Sequence, residues 1–221
     1  MKKIFIMLVC LLALWSCQEE QVSPADRELR ALSLEEQELI RSGNQFAFDV
    51  TRELSHEQSG NIFLSPFYIN MSLSMALNGA EKATLKQMQQ VMQCDVLERL
   101  EINKVYSELN PFLQGLDKNM QFISAHAIWH HQDVAVRPLF RDMMTAYYDA
   151  DVEPVDYFNQ KTPEYIGKWV EEQTQGKVEA DIPAFLHPLA MYMVSATHFK
   201  GRWSYPFAKE STAPGIFYHE D

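Results

Sequence analysis

Apolar positions along the chain change their period several times, and each change marks a predicted element. Leu39, Phe46, Val50 and Leu54 recur at helical spacing, and Ser33 with Glu36 makes an S-x-x-E capping box that starts this helix. Ser59-Gly60-Asn61 reads as a turn and Ile62-Phe63-Leu64 as a short strand. Ser65-Pro66 supplies the N-cap and first residue of a second helix. Phe67, Ile69, Met71, Leu73, Met75, Ala76 and Leu77 leave that helix apolar almost all round, which predicts burial on every side.

Further along, Thr84 to Met92 reads as a short helix. Ile102, Val105, Tyr106 and Leu109 mark another, interrupted near Pro111. Met120 to Trp129 alternates and predicts a long strand; Phe140 to Tyr148 is helical and Val152 to Val155 a short strand. Thr162-Pro163 opens a helix with Ile166, Trp169 and Val170 on one face, and Gly176 suits its C-cap. Leu189 to Phe199 is a nearly continuous apolar run, expected to be a strand covered on both faces. Helices come first and long strands mixed with helices follow, which is α+β rather than strictly alternating α/β.

The first residues follow another logic. Lys2 and Lys3 precede the apolar run Ile4 to Trp15, too short to span a bilayer but right for an export signal. The run ends Leu14-Trp15-Ser16-Cys17, which resembles the lipobox of bacterial lipoproteins, although Trp15 is bulkier than the usual residue. The expected organisation is a signal peptide over 1–16, a polar tether over 17–32 beginning at a lipidated Cys17, and a folded domain over 33–221. Gln18, Glu19 and Glu20 behind that cysteine favour the outer membrane, and its outer face is compatible with them. Cys10 leaves with the signal, so Cys94 is the one free thiol; it reads as a core or boundary residue, and the domain depends on core burial rather than on a disulfide.

Charge and motifs then narrow the chemistry. A formal net charge of -11 without a basic patch argues against nucleic acid as a partner. No G-x-S-x-G, H-E-x-x-H, Walker loop or G-x-G-x-x-G occurs. His126, His130 and His131 invite a metal, but on a strand His126 and His130 stand about 13 Å apart, too far for one ion. Glu19-Glu20, Glu35-Glu36 and Glu171-Glu172 read as surface carboxylates. No enzyme, metal or cofactor is expected from these residues.

Three stretches carry a family likeness. Asn61 to Ala80, with Ser65-Pro66, a gallery of small residues and a final Gly79-Ala80, resembles strand 6B and helix B of the serpins. Trp169 to Val178 is similar to the end of serpin helix F. Met193 to Trp203, followed by Pro206-Phe207, is similar to central strand 3A running into the breach. They fall in the family's order, and the physical reading agrees: a buried second helix and a two-face-buried late strand.

The resemblance implies a protease inhibitor of the suicide-substrate type, whose cleaved reactive loop inserts into the main sheet and drags the protease, serine or cysteine class, into a distorted state. It places Ser65, Tyr68 and Ser195 in the shutter, where the sheet parts, and Lys200, Gly201 and Trp203 in the breach, where insertion begins. Tyr68 stands where the family usually has serine and Ser195 where it usually has asparagine. Overpacking by a phenol ring costs about 1–3 kcal/mol unless the surroundings make room. The alternative is therefore a non-inhibitory binding or structural lipoprotein on the same scaffold. The mixed signs of Glu98, Arg99, Glu101, Lys104 and Glu108 predict no glycosaminoglycan partner. Asp221 falls near the start of sheet C by this likeness, before the reactive loop, so Leu189 to Phe199 is expected to show an apolar edge prone to aggregation.

Overall fold

The computed structural model describes residues 29–117, 119–185, 189–203, 205–216 and 218. Contacts divide the chain into two units: Leu32–Gly201, and Met1–Ala31 together with Arg202–Asp221. The signal segment, Cys17 and most of the tether lie outside the described residues.

The larger unit opens with α1, Leu34–Glu57. The Ser33 hydroxyl accepts from the Glu36 amide at 3.1 Å, and the Ser33 amide donates to the Glu36 carboxylate at 2.8 Å. The predicted capping box is present, and it buries Glu36, which is therefore not a surface carboxylate. Along α1 the burial fades: Leu39 and Phe46 are buried, whereas Val50 and Leu54 are half-exposed.

Helix α2, Pro66–Leu77, begins as expected at Ser65 with proline in its first turn, but the serine side chain makes no cap hydrogen bond and is exposed. Tyr68, Asn70, Met71, Ser74, Met75 and Leu77 are buried, while Ile69 stays partly exposed, so the helix is embedded on most rather than all of its circumference. Ile62 to Leu64 form no strand, and Phe63 is fully exposed. A strand needs a ladder partner for its amides, and no described residue offers one there.

Helices α3 (Lys82–Val91) and α4 (Arg99–Gln114) follow. Helix α4 runs through Pro111 rather than breaking at it. The cost falls on the preceding turn, where the Ser107 carbonyl loses its amide donor, while bonding resumes beyond it, the Gly115 amide donating to the Pro111 carbonyl at 3.0 Å. Arg99 donates to the carbonyls of Asn78 at 3.3 Å and Ala80 at 2.9 Å, satisfying backbone acceptors just past the end of α2.

The sheet has the order β2-β1-β3, with β1 at Gln121–His131, β2 at Ala150–Val155 and β3 at Met191–Lys200. Strand β1 pairs parallel with β2 and antiparallel with β3. The parallel crossover is made by α5, Pro138–Tyr148, which ends at Asp149 in the left-handed conformation, φ 50°. Helix α6, Thr162–Gln173, ends through two left-handed residues, Gln175 and Gly176, with the Gly176 amide reaching back to the Glu171 carbonyl at 2.8 Å.

Strand β1 divides the core in two. Ile128 faces α2, α4 and α5 in a cluster with Met71, Met75, Ile102, Met144 and Tyr148. Ala127 and Trp129 face the opposite way, into a cluster with Tyr157, Ile166 and Trp169. Trp129 and Trp169 meet edge to face at 5.1 Å, and the Trp169 indole donates to Asp151 at 2.8 Å. Both faces of β1 are covered, so its residues 125–130 are all buried.

Strand β3 is less buried than its composition predicts: Ala196 alone is fully buried. It lies at the edge of the described sheet, and α6 packs on β1. The other unit shows a short 3-10 turn, Lys209–Ser211, and an edge-to-face pair between Trp203 and Phe207 at 5.8 Å.

Trp129→Ala removes the largest fully buried side chain of the sheet. It is expected to lower the unfolding free energy by about 3–5 kcal/mol, read as a shift in the urea midpoint. Tyr165→Phe, which loses one exposed hydrogen bond to Glu153, is expected to change that midpoint by less than about 0.5 kcal/mol.

Candidate functional site: a polar cluster beneath the sheet

The centre of the unit is apolar, and the polar side chains beneath β1 and β3 are placed by register. His126 of β1 and Ser195 of β3 are direct partners in the antiparallel ladder, so both point to the face covered by α2. The His126 Nδ1 lies 2.9 Å from Ser195 Oγ, and Ser195 Oγ lies 2.6 Å from Ser72 Oγ. The Ser72 hydroxyl also donates to the Tyr68 carbonyl one helical turn earlier, at 2.9 Å. Three elements, α2, β1 and β3, thus meet at hydroxyls and one imidazole.

Tyr68 is buried beside this cluster with its ring 5.7 Å from His126 and edge to face with Phe67 and Phe122. Its hydroxyl donates to Asn110 Oδ1 at 3.0 Å. Asn110 and Gln114 of α4 in turn donate to the Ser124 hydroxyl at 3.3 and 2.8 Å. The crowding expected of a phenol here is resolved: aromatic neighbours line the ring and a carboxamide satisfies its polar tip. Burial raises the Tyr68 phenol above its ordinary pKa.

Burial also pushes the His126 imidazole down to about 4, so it is neutral at physiological pH. A serine and a histidine in hydrogen-bond contact resemble half of a hydrolytic triad, and the sequence patterns did not reveal the pair. Here His126 is buried and no carboxylate orients it among the described residues, so the contact lacks the third group and the access that nucleophilic catalysis requires. His130 is engaged elsewhere: its Nδ1 donates to the His131 carbonyl at 3.0 Å, and its Nε2 accepts from Arg141 at 3.4 Å. Cys94 is buried and its thiol is pushed up to about 11, which makes it inert.

The sequence-predicted residues divide accordingly. Tyr68 and Ser195 come together through Ser72 and His126. Ser65 is an exposed N-cap one turn before Tyr68 and touches none of these hydroxyls. Lys200 ends β3 and Gly201 follows it, both exposed, and Trp203 is exposed in the other unit. Sequence reasoning missed Ser72, Asn110 and Ser124, and weighed His126 only as a metal ligand. Ser72 was within reach of pattern reading, since it stands four positions after Tyr68 on the same helical face. The contact of His126 with Ser195 was not, since it depends on strand register across a sequence separation of 69.

This architecture, with helices beneath a sheet whose long strands follow them, matches known proteins. The profile of the family described as Serpin (serine protease inhibitor) matches residues 41–221. The chain belongs to the serpin family. An uncharacterized serpin-like protein of Methanosarcina acetivorans is 27% identical over 198 residues, covering 86% of this chain and 46% of the relative. Antithrombin-III of Mus musculus is 29% identical over 196 residues, covering 83% and 42%. Among solved structures, a cleaved Serpin 42Da superposes with a TM-score of 0.73 at 27% identity, over 83% of this chain and 49% of that one. Human thyroxine-binding globulin, at 24% identity and a TM-score of 0.72 over 80% of this chain and 48% of its own, shares the fold. The chain spans about half the length of the curated relatives it matches.

Removing individual hydroxyls tests the cluster. Ser195→Ala strands the His126 Nδ1 without its partner and is expected to cost about 1–3 kcal/mol, whereas Tyr68→Phe, which leaves Asn110 its other bond to Ser124, is expected to cost about 1 kcal/mol. Thermal melts of the two variants beside the parent decide; equal and negligible shifts contradict the geometry.

Proposed function

We propose that this chain supplies the helix layer and three sheet strands of a serpin that inhibits a serine or cysteine endopeptidase by the suicide-substrate route, with insertion of a cleaved loop beside β3. The observation that carries the reading is the contrast between the two edges of the described sheet. Edge strand β2 is short and guarded by Asp151, Glu153 and Pro154, features that discourage strand addition. Edge strand β3 runs from Met191 to Phe199 without a proline, a carboxylate, a lysine or an arginine before ending at Lys200. Such an edge suits the acceptance of another strand.

The polar cluster fits a shutter role. It joins β1 and β3 to α2 through a few hydrogen bonds rather than through interlocked apolar side chains, and such contacts can be exchanged when a sheet shifts over a helix. In this reading Tyr68, Ser72, His126 and Ser195 form the shutter, and Ser65 marks the start of its helix. Lys200, Gly201 and Trp203 lead into the breach. A second reading, a non-inhibitory binding scaffold, draws on Tyr68: its well-packed ring favours a sheet that stays closed.

The same proposal extends to location and partners. Cys17 carries lipid and holds the protein in the outer membrane, with the segment up to residue 32 as tether. The target is a protease and not a glycosaminoglycan-assisted one: on α4, Arg99 is turned inward onto the Asn78 and Ala80 carbonyls, which leaves Lys104 among Glu101 and Glu108.

Protein expressed from the complete reading frame and mixed with a panel of serine and cysteine proteases is expected to give a protease adduct that survives denaturing electrophoresis. If it is cleaved without adduct, or is not cut across the panel, the scaffold reading replaces the inhibitor. Separately, Cys17→Ser is expected to abolish incorporation of an alkyne fatty acid and to move the protein from the membrane to the soluble fraction. Unchanged incorporation removes the anchor from the proposal.

A further inference from the structure

Proton positions in the polar cluster follow from counting donors. A hydroxyl has one hydrogen to give. Ser72 gives its hydrogen to the Tyr68 carbonyl, so Ser72 Oγ accepts from Ser195 across the 2.6 Å contact. Ser195 has then used its own hydrogen and accepts from His126 Nδ1 at 2.9 Å. The relay runs in one direction, from the His126 imidazole through Ser195 and Ser72 to the Tyr68 carbonyl. Neutral His126 therefore carries its proton on Nδ1. Its Nε2 is a bare lone pair, buried and without a protein partner among the described residues.

We propose that His126 is a proton-sensitive clip: neutral, it closes the relay that ties β1 and β3 to α2, and protonated, it lets β3 come away from α2. The second proton has to enter at Nε2, where it creates a charged donor with no acceptor in a buried place. The ring then leaves for water, Ser195 loses its donor, and the Ser195–Ser72 contact is left as the relay's one remaining link between sheet and helix, without its side-chain tie to β1.

Among the described residues nothing offsets that charge. On β1 the nearest titratable side chain of the same face is His130, already held by Arg141 of α5. From α2 comes Tyr68, from α4 Tyr106 and from α5 Tyr148, all phenols whose pKa is raised by burial, so they stay neutral. On β3 the neighbours on this face are Met193 and Thr197, and on β2 the partner is Ala150. Burial is the one cause acting on His126, and no charged group enters.

The sign follows from linkage. The closed-state pKa of about 4 lies below the ordinary value of 6.5, so the released state binds the proton more tightly. The clip holds fully above pH about 6.5 and weakens as pH falls toward 4. Its bearing on inhibition rests on the serpin mechanism proposed above, but the clip itself is measured with no protease present.

Hydrogen exchange read by mass spectrometry on the full-length protein, at pH 7.0 and 4.5 and corrected for intrinsic chemistry, tests it. Peptides covering Pro66–Leu77 and Met191–Lys200 are expected to exchange at least about tenfold faster at the lower pH, with α6 peptides unchanged. His126→Asn, which keeps a donor for Ser195 but cannot titrate, is expected to remove the difference. Acceleration of every peptide alike, or a response that survives in His126→Asn, overturns the clip. Should that variant fail to fold, nitrogen-15 shifts of the histidines in the parent protein decide. A proton on Nδ1 at pH 7 supports the relay, and a proton on Nε2 refutes it.

Discussion

The structure depends on strand β1 being covered on both faces. Its successive side chains are handed alternately to two cores, Ile128 to the helices α2, α4 and α5 and Trp129 to α6, so neither layer can shift without disturbing the other through this strand. Pairing with β2 on one side and β3 on the other uses its backbone polar groups. A strand so enclosed can afford few polar side chains, and those it has must be bonded or neutral. That constraint explains the two histidines of its helix face: His130 is tied to a carbonyl and an arginine, and His126 is kept uncharged and bonded to a serine hydroxyl.

From this constraint the candidate site follows. The sheet is held to the helices beneath it by apolar contact around Ile128 and by hydrogen bonds around Ser195. Tyr68 closes the space between the two regimes, its ring among aromatics and its hydroxyl on Asn110. A deeper polar layer, in which Asn103 accepts from Tyr148 at 2.6 Å and exchanges hydrogen bonds with Asn78, locks α2, α4 and α5 together. The helices are thus fixed to one another, and the sheet rests on them through apolar contact around Ile128 and a few hydroxyls around Ser195.

Much of this was legible along the chain. The capping box at Ser33, the Ser65-Pro66 helix start, the long strand ending near His131 and the Thr162-Pro163 helix are local signals, and local hydrogen bonding or φ restriction enforces them. The errors arose where an outcome depended on neighbours. Ile62 to Leu64 have strand-forming side chains but no ladder partner among the described residues. Pro111 removes one amide bond, yet the packing of α4 carries the helix through it, and bonding resumes from the Gly115 amide. The apolar run into β3 suggested burial on both faces, whereas its place at the edge of the described sheet leaves most of it half covered.

The chain alone carried the order and kind of all the elements but the Ile62–Leu64 strand, the α+β class and the family, because periodicity, caps and short motifs act over a few residues. It also pointed to Tyr68 and Ser195 as places where the family pattern is altered. What those alterations mean emerged from the packing. Strand register put His126 opposite Ser195, and helix packing brought Ser72 beneath them and Asn110 against the Tyr68 hydroxyl. These contacts join residues far apart in the chain, and which of them form is settled by how the two cores pack on either side of β1.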